Sequence, residues 1–218
     1  VEHSEVSRLK DKAVLTSSQS LIELFQKPDH LEIRLACGSE EELEATRTMF
    51  AEHLYYFAGE EPFSLDWSKP APRVRPANLQ EAVVISTSKV TPRMLRVTLA
   101  PEDMTPFING DIHVRLLVPQ AKRPPVWPKL RADGRIDWPK GEDKLLVRVY
   151  TIRSVDAGKG QITLDIFQHP AEGISTPGAD FARDALQGTR IGIMGPGGGG
   201  LPQTDQILFA GDESALPA

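Results

Sequence analysis

A cation, an aromatic ring and a hydroxyl stand within four consecutive residues, Arg148, Val149, Tyr150 and Thr151, at the end of an alternating apolar and polar run. Downstream, Thr176-Pro177-Gly178-Ala179 has the composition of a helix start. A guanidinium pairs with phosphate through two hydrogen bonds, a phenol packs on a flat ring, and a hydroxyl bonds a ring heteroatom. Backbone N–H groups at a helix start attract a pyrophosphate. These residue types and their spacing therefore suit a flavin dinucleotide.

The same residues also have an ordinary structural interpretation. Tyr and Thr favour strands whatever their function, and every helix start attracts anions to some degree. On this interpretation Arg148 is an exposed strand residue and Thr176 is a simple cap. The joint presence of the strand motif and the helix start favours the flavin site.

The composition is that of an ordinary globular protein. The chain has 218 residues, of which 40% are hydrophobic and 25% are charged, as in average soluble domains. A net charge of −5 argues against nucleic acid as the main partner, because phosphate backbones require a basic face. No apolar run approaches the roughly 20 residues that span a bilayer, and residues 1–10 lack the apolar core of a signal peptide. We therefore expect a cytoplasmic protein that binds neither nucleic acid nor membrane.

Cysteine and histidine usage limits the possible redox chemistry. The single cysteine, Cys37, cannot form an internal disulfide or hold an iron–sulfur cluster, which takes about four ligands. The five histidines show no metal-ligand spacing; they are His3, His30, His53, His113 and His169. Any redox chemistry would therefore come from an organic cofactor, and we expect no metal site in the protein.

The first part of the chain, residues 1–70, predicts a small α+β unit. Ser39 followed by three glutamates forms a capping box, and apolar residues at helical spacing extend the predicted helix from Glu40 to Ala58. A shorter helix is predicted around Ser18 to Gln26, and Leu31 to Ala36 alternates like a strand. Ser68 to Pro76 contains three prolines and predicts a linker.

From Glu81 onward the pattern changes to short alternating runs separated by turn residues. Several such runs predict an antiparallel barrel. The predicted strands are Val83 to Thr87, Met94 to Leu99, Ile112 to Val118, Leu145 to Arg153, Ile162 to Gln168 and Arg190 to Met194. One helix is predicted within the barrel, with Thr176 as N-cap and Gly188 as C′ residue, and with Phe181, Ala182, Ala185 and Leu186 as its apolar stripe.

The glycines after the last predicted strand match the spacing of a dinucleotide-binding fingerprint but not its structural context. Gly195, Gly197 and Gly200 have the spacing, but no helix is predicted to follow them, so no helix N-terminus is available for a pyrophosphate. Gly195-Pro196 instead predicts a turn that leaves the barrel. Gln206 to Ala210 then predicts a buried strand.

Several of these motifs together resemble the siderophore-interacting, FAD-binding ferric reductases. They are the Arg-x-Tyr-Thr of residues 148–151, His169 at the end of the next strand, Pro177 to Ala182, Gly195-Pro196, and the closing Gly211-Asp212-Glu213-Ser214-Ala215. His113 also has a counterpart in the family. The resemblance covers roughly residues 80 to 218. His53 to Ala58 with Trp67 resembles the end of a small domain of unassigned function that is often fused to these reductases.

The resemblance implies a mostly β, α+β architecture. A small α+β domain, 1–70, would precede a ferredoxin-reductase-like antiparallel FAD-binding β-barrel, 77–200, and residues 205–218 would begin an α/β NAD(P)-binding lobe. The implied activity is that of an FAD-dependent NAD(P)H:ferric-siderophore oxidoreductase. No side chain is assigned a catalytic role, because the flavin carries the chemistry. The implied cofactor-binding residues are Arg148, Val149, Tyr150, Thr151, His169, Thr176, Pro177, Gly178, Ala179, Gly211, Asp212, Glu213 and Ser214.

A cluster of cations between Gln120 and Arg135 includes Lys122, Arg123 and Arg131. It is either a solvated loop or a patch that attracts an anionic iron chelate. Two alternative functions also stay open at this level. One is a flavin reductase with another acceptor, such as free flavin or a quinone. The other is a flavin- or ligand-binding module without turnover, whose N-terminal unit engages another protein.

Overall fold

The computed structural model describes residues 5–17, 20–69, 74–108, 110–120, 123–169, 176–199, 204–208 and 210–215. Of Ser214 it describes the backbone but not the side chain. The chain forms two compact units. Val1–Ala77 and Pro128–Trp138 form the first, whereas Asn78–Trp127 and Pro139–Ala218 form the second. Among the described helices, none combines the length and the apolar character needed to cross a bilayer.

The first unit contains an antiparallel sheet with one long helix. Its strands follow one another in chain order; they are β1 (Glu5–Leu9), β2 (Lys12–Thr16), β3 (Ser20–Gln26) and β4 (Leu31–Cys37). Helix α1 (Glu40–Ala58) packs on β3 and β4. The Ser39 side chain accepts a hydrogen bond from the backbone N–H of Glu42, so the predicted cap, helix α1 and strand β4 are confirmed.

The prediction of a helix around Ser18 to Gln26 is wrong, because residues 20–26 form the strand β3. Ile22 is buried beside Met49 and Phe50 of α1. Phe25, three residues further along the strand, points to the opposite face and is covered by the cationic groups of Lys12, Lys27 and Arg34. Because both faces of the strand carry apolar residues, the two-residue period is hidden in the sequence.

The second unit is a closed antiparallel barrel of six strands. The strands are β5 (Leu79–Thr91), β6 (Met94–Pro101), β7 (His113–Pro119), β10 (Leu145–Asp156), β11 (Gln161–Phe167) and β12 (Arg190–Gly197). They are paired in the order β10-β11-β6-β5-β12-β7, and β7 returns to β10. All six predicted strands and the predicted barrel are confirmed.

Alternating aliphatic residues of these strands form the barrel core. Ile162, Leu164 and Ile166 of β11 are almost completely buried and pack together with Leu116 of β7 and Ile193 of β12. The side chains between them face outward, because successive residues of a strand alternate sides. Polar residues that carry chemistry can therefore stand on the outer surface of a well-packed barrel.

Two helices accompany the barrel. Helix α2 (Thr105–Ile108), which the sequence analysis did not predict, has only four residues. Helix α3 (Pro177–Asp184) buries Phe181 and Ala182 against the core. It ends earlier than predicted, because Ala185 is already extended and the N–H of Gly188 bonds a carbonyl of β5.

A small hairpin belongs to the first unit although its sequence lies between β7 and β10. It consists of β8 (Lys129–Leu130) and β9 (Ile136–Asp137). The backbone N–H of Ile136 donates to a Glu52 carboxylate at 2.8 Å, and the Trp67 indole donates to the Asp133 carbonyl at 2.8 Å. The sequence analysis placed these residues within the barrel range.

Two further predictions for the end of the chain differ from the structure. Gly195-Pro196 lies inside β12, with a register shift between Met194 and Gly197, and is not a turn. Residues 206–208 are exposed and form no strand in the described part of the chain, so the predicted strand from Gln206 to Ala210 is not observed. In the described part of the chain no strand pairs with these residues, and the side chains of Ile207 and Leu208 are exposed.

Candidate functional site

A cleft of about 540 Å³ lies on the outer surface of the second unit. Its walls are residues 148–151 of β10, residues 165–167 of β11 with His169, His113 of β7, and residues 176–179 at the start of α3. The volume lies within the range of roughly 300–1,000 Å³ of small-molecule sites. The structure thus brings together the two motifs that the sequence analysis singled out, although 25 or more residues separate them.

Arg148 brings a cationic group to the cleft. Its side chain is exposed, and the Nη1 donates to the backbone carbonyl of Val147 at 2.8 Å. Within the described residues it forms no ion pair with a carboxylate, so its charge is available to an anion. The neighbouring Val149 is 61% exposed although it is aliphatic, as expected for a residue on the wall of a ligand site.

Tyr150 and Gly178 are in direct contact across the cleft. A Cβ built on Gly178 would overlap the Tyr150 hydroxyl and lie 3.2 Å from Cζ of its ring. The ring also packs against the barrel core. Burial raises the pKa of the Tyr150 phenol, an effect that the nearby Arg148 charge only partly opposes, so the phenol stays protonated at neutral pH.

The start of α3 offers two backbone donors. Pro177 has no N–H, and the first intrahelical hydrogen bond is donated by Asp180 to the Thr176 carbonyl at 2.9 Å. The Thr176 side chain forms no capping bond. The N–H groups of Gly178 and Ala179 are therefore not used by the helix or by its cap, and both residues line the cleft. Thr176 holds the predicted N-cap position without acting as a side-chain cap.

The Thr151 hydroxyl lies 3.1 Å from Nδ1 of His113. The two residues face each other across the β7 and β10 pairing. His113 has a counterpart in the family but is not among the cofactor residues predicted from the sequence. Its approach to Thr151 depends on the register of two strands that are 38 residues apart.

The β11 side of the cleft carries residues that the sequence analysis did not single out, Asp165 and Phe167. His169 packs edge-on against Phe167, with ring centroids 5.0 Å apart. Asp165 accepts two hydrogen bonds from Arg96, at 2.7 and 2.8 Å, and Arg153 lies 3.7 Å away. The alternation of β11 could have identified both residues from the sequence, since Asp165 and Phe167 occupy the outward positions next to buried isoleucine and leucine residues.

The remaining predicted residues do not line the cleft. Gly211, Asp212 and Glu213 are exposed in a short 3₁₀ turn (Glu213–Ala215) and its approach, which lies beside β11. The side chain of Ser214 is outside the described part of the structure. This end motif is therefore near the strand that forms one wall, but it is not part of the wall itself.

The cationic cluster of residues 120–135 is divided. Arg123, in the second unit, is paired with Asp143 at 2.6 Å. Arg131, in the first unit, is paired with Asp137 at 2.7 Å, and Lys122 lies outside the described residues. The attraction of an anionic chelate by these cations stays a prediction.

The cleft fits a flavin dinucleotide by its own chemistry. A cation that has no carboxylate partner among the described residues, together with two backbone N–H groups, suits a pyrophosphate. A partly buried phenol ring and a hydroxyl suit a flat heterocycle with hydrogen-bonding edges. Gly178 leaves room for the Tyr150 hydroxyl, which occupies the position that a side chain would take.

Comparison with known proteins agrees with this chemistry. Residues 83–200 match the family described as the siderophore-interacting FAD-binding domain, and residues 1–68 match an uncharacterized protein conserved in bacteria (DUF2218).

Individual relatives were also found. The ferric vibriobactin reductase ViuB of Vibrio cholerae is 34% identical over 134 residues, which cover 59% of this chain and 47% of ViuB. The uncharacterized protein Rv2895c of Mycobacterium tuberculosis is 34% identical over 147 residues, covering 62% and 49%. The chain thus spans about half the length of the curated relatives it matches.

A siderophore utilization protein from T. fusca, known as a crystal structure, aligns with 64% of this chain and 52% of its own, with 29% identity and a TM-score of 0.47. The family match covers more than half of the chain and coincides with the barrel that forms the cleft. The chain belongs to the siderophore-interacting FAD-binding family.

Proposed function

We propose that the protein is an FAD-dependent oxidoreductase that takes electrons from NAD(P)H and reduces Fe(III) held by a siderophore. The observation that carries this proposal is the convergence in one cleft of Arg148, Tyr150, Thr151 and the start of α3. The family match supports FAD as the cofactor. The similarity to a ferric vibriobactin reductase supports a ferric siderophore as the substrate.

The pyrophosphate would be held by Arg148 and by the backbone of α3. The guanidinium offers two parallel donors, and the N–H groups of Gly178 and Ala179 stand at the positive end of the helix dipole. Both kinds of donor reach the same cleft. Together they would neutralise the charge of the pyrophosphate.

The ring would be held by Tyr150 and Thr151. FAD, when bound, accepts a hydride from a nicotinamide and passes single electrons to an acceptor. The side chains therefore have to position the ring and do not have to act as general bases. Tyr150 would pack against the ring, and Thr151 would offer a hydroxyl that lies within hydrogen-bond distance of His113. Iron would leave the siderophore because Fe(II) is softer than Fe(III) and is held less well by hard oxygen ligands.

The end motif would serve the electron donor. Gly211, Asp212 and Glu213 are exposed and stand beside β11, the strand that carries one wall of the cleft. We assign to this turn and to Ser214 the approach of the nicotinamide. Their exposure supports contact with a second ligand better than contact with the buried part of the flavin.

The first test is reconstitution of the purified protein with FAD. We expect quenching of FAD fluorescence and a stable visible spectrum. The bound flavin is then reduced photochemically without oxygen, and a ferric siderophore is added together with a colorimetric Fe(II) chelator. Because a two-electron carrier supplies single electrons, about two Fe(II) per flavin are expected as the flavin is reoxidised.

The outcomes separate the proposed function from its alternatives. FAD binding with reoxidation by a quinone but no Fe(II) would indicate a flavin reductase with another acceptor. Absence of FAD binding would indicate a binding module and would overturn the proposal. Bleaching by NADH or NADPH is measured separately, so that failure of the donor step does not obscure the iron step.

A further inference from the structure

His113 and Thr151 form a side-chain pair at the edge of the cleft. They are opposite residues of β7 and β10, with 3.1 Å between Nδ1 and Oγ1. Both side chains are half-buried, and both line the cleft. A half-buried hydrogen bond between side chains on two paired strands can orient a hydroxyl toward a ligand.

The imidazole of His113 is held in place from its other side by Gly198. A Cβ on Gly198 would lie 2.6 Å from Cδ2 of the imidazole and 3.3 Å from its Cγ. Gly198 also has a φ of +87°, which other residues rarely adopt. The glycine therefore brings its backbone against the imidazole and limits its movement.

The direction of the hydrogen bond decides what Thr151 can offer to a ligand. A threonine hydroxyl has one proton to donate and two lone pairs to accept with. If Nδ1 of His113 is unprotonated, it accepts a hydrogen bond from the hydroxyl, and a lone pair of Oγ1 stays available to accept from the ligand. If Nδ1 carries a proton, it donates to Oγ1 and leaves the hydroxyl proton for the ligand.

We propose that His113 is a positioning residue, which sets whether the Thr151 hydroxyl donates to or accepts from the ring of the bound flavin. This inference rests on the proposed function, in which the ligand is FAD. An oxidised flavin presents unprotonated ring nitrogen at positions where the reduced form presents N–H. One histidine and threonine pair can therefore serve both forms, with the proton at Nδ1 as the only change.

Other titratable groups of the cleft do not compete for this bond. They are Arg148 and Tyr150 on β10, Asp165 on β11, and His169. In the described structure none of the four is hydrogen-bonded to His113, and Asp165 is already bonded to Arg96. On β12, the other strand that pairs with β7, Gly197 lies opposite His113.

The test compares four variants of the full chain. They are Thr151→Val, His113→Leu, the double variant Thr151→Val/His113→Leu, and His113→Asn. Thr151→Val keeps the shape and removes the hydroxyl, and His113→Leu removes the imidazole. His113→Asn keeps a side-chain amide near the position of Nδ1. We expect Thr151→Val and His113→Leu each to raise the Kd for oxidised FAD about fivefold, as for one lost neutral hydrogen bond. The double variant should be no weaker than either single one, because both remove the same interaction.

Two comparisons distinguish a positioning role from a purely structural one. They are the affinity for oxidised against reduced FAD, and the conservative variant His113→Asn against His113→Leu. His113→Asn should bind FAD within about twofold of wild type. In His113→Leu, the ratio of the Kd values for oxidised and reduced FAD should change, measured as a shift of the midpoint potential. Additive effects of the two substitutions, or an unchanged potential, would overturn the inference.

A measurement without FAD keeps the inference separate from the proposed function. The ring ¹⁵N signals of His113 report its tautomer, and we expect Thr151→Val to shift them in the protein without cofactor. Unchanged signals would show that the pair does not form in solution and would overturn the inference. If wild type does not bind FAD while the signals do shift, the proposed function fails, and the assignment of the ligand ring fails with it.

Discussion

The Tyr150 hydroxyl occupies the position that a Cβ at residue 178 would take, so no side chain fits at Gly178. This contact joins strand β10 to the start of helix α3, and Arg148 flanks it, with its Cγ 3.6 Å from a Cβ built at residue 178. The glycine makes room for the phenol, and its N–H is not used by the helix.

Gly178→Ala should weaken FAD binding by about tenfold or more, because the new methyl group displaces the Tyr150 ring. In an exposed helix this substitution would stabilise the protein, since Ala is a better helix former than Gly by about 1 kcal/mol. A lower melting temperature together with weaker FAD binding, measured by calorimetry and fluorescence titration, would therefore identify the contact.

The control for this prediction uses a second substitution. Removing the hydroxyl in Gly178→Ala/Tyr150→Phe should relieve the worst overlap and recover part of the stability. Gly158→Ala, where the new methyl meets Asp156 only at an ordinary 3.5 Å, should leave FAD binding unchanged. Full FAD affinity in Gly178→Ala would contradict the proposed contact.

Arg148→Met should raise the Kd for FAD by about ten- to a hundredfold, because a charge-assisted bidentate contact to phosphate contributes roughly 1.5–3 kcal/mol. The fall of affinity with salt concentration should also become shallower. Arg153→Met is the matched control, since Arg153 lies on the same strand but is close to Asp165 and does not line the cleft. An equal loss in both variants would show only a general charge effect.

The acid stability of the first unit should depend on Asp133. Burial alone raises the pKa of this carboxyl, but hydrogen bonds from Arg135 outweigh that effect and hold the pKa below its usual value. A carboxylate with a lowered pKa stabilises the fold above its unfolded pKa of about 3.9 and loses this contribution as the pH falls through the folded pKa.

Asp133→Asn should therefore lower the unfolding free energy by about 1 kcal/mol at neutral pH and have a smaller effect near pH 3. Thermal unfolding of both proteins at the two pH values measures this difference. Asp156→Asn, at the end of β10 in a surface ion pair with Lys159, should have a smaller effect, because a solvent-exposed ion pair contributes little to stability. A constant difference for Asp133→Asn at all pH values would exclude ionisation as its cause.

Trp67→Phe should loosen the hairpin of β8 and β9. The substitution removes the N–H bond to Asp133 and shortens the ring that Arg47 covers at 4.8 Å, at a cost of about 1–2 kcal/mol. Hydrogen exchange of the Ile136 amide, which is bonded to Glu52, should become faster. Unchanged exchange would show that Trp67 does not hold this segment.

Local patterns in the sequence predict most of the fold correctly. The errors arise where an apolar residue does not lie on the buried face that its spacing indicates. The barrel strands were recognisable because one face of each is buried in a single core, which produces alternation. The helix prediction for residues 20–26 is wrong because Phe25 lies on the face that should be polar, where cationic side chains cover it. Helix α3 was predicted too long, since Leu186 matches the stripe in sequence but is 75% exposed.

The amino-acid sequence alone determined which residues supply the cation, the aromatic ring, the hydroxyl group and the helix start, because these features follow from residue type and short spacing. Only the tertiary structure decided which distant groups meet them. The pairing of Thr151 with His113 depends on the register of β7 and β10, and the place of Pro128–Trp138 depends on contacts with Glu52 and Trp67. Strand register and long-range contacts are set by the packing of the whole barrel and sheet, which no local window of sequence contains.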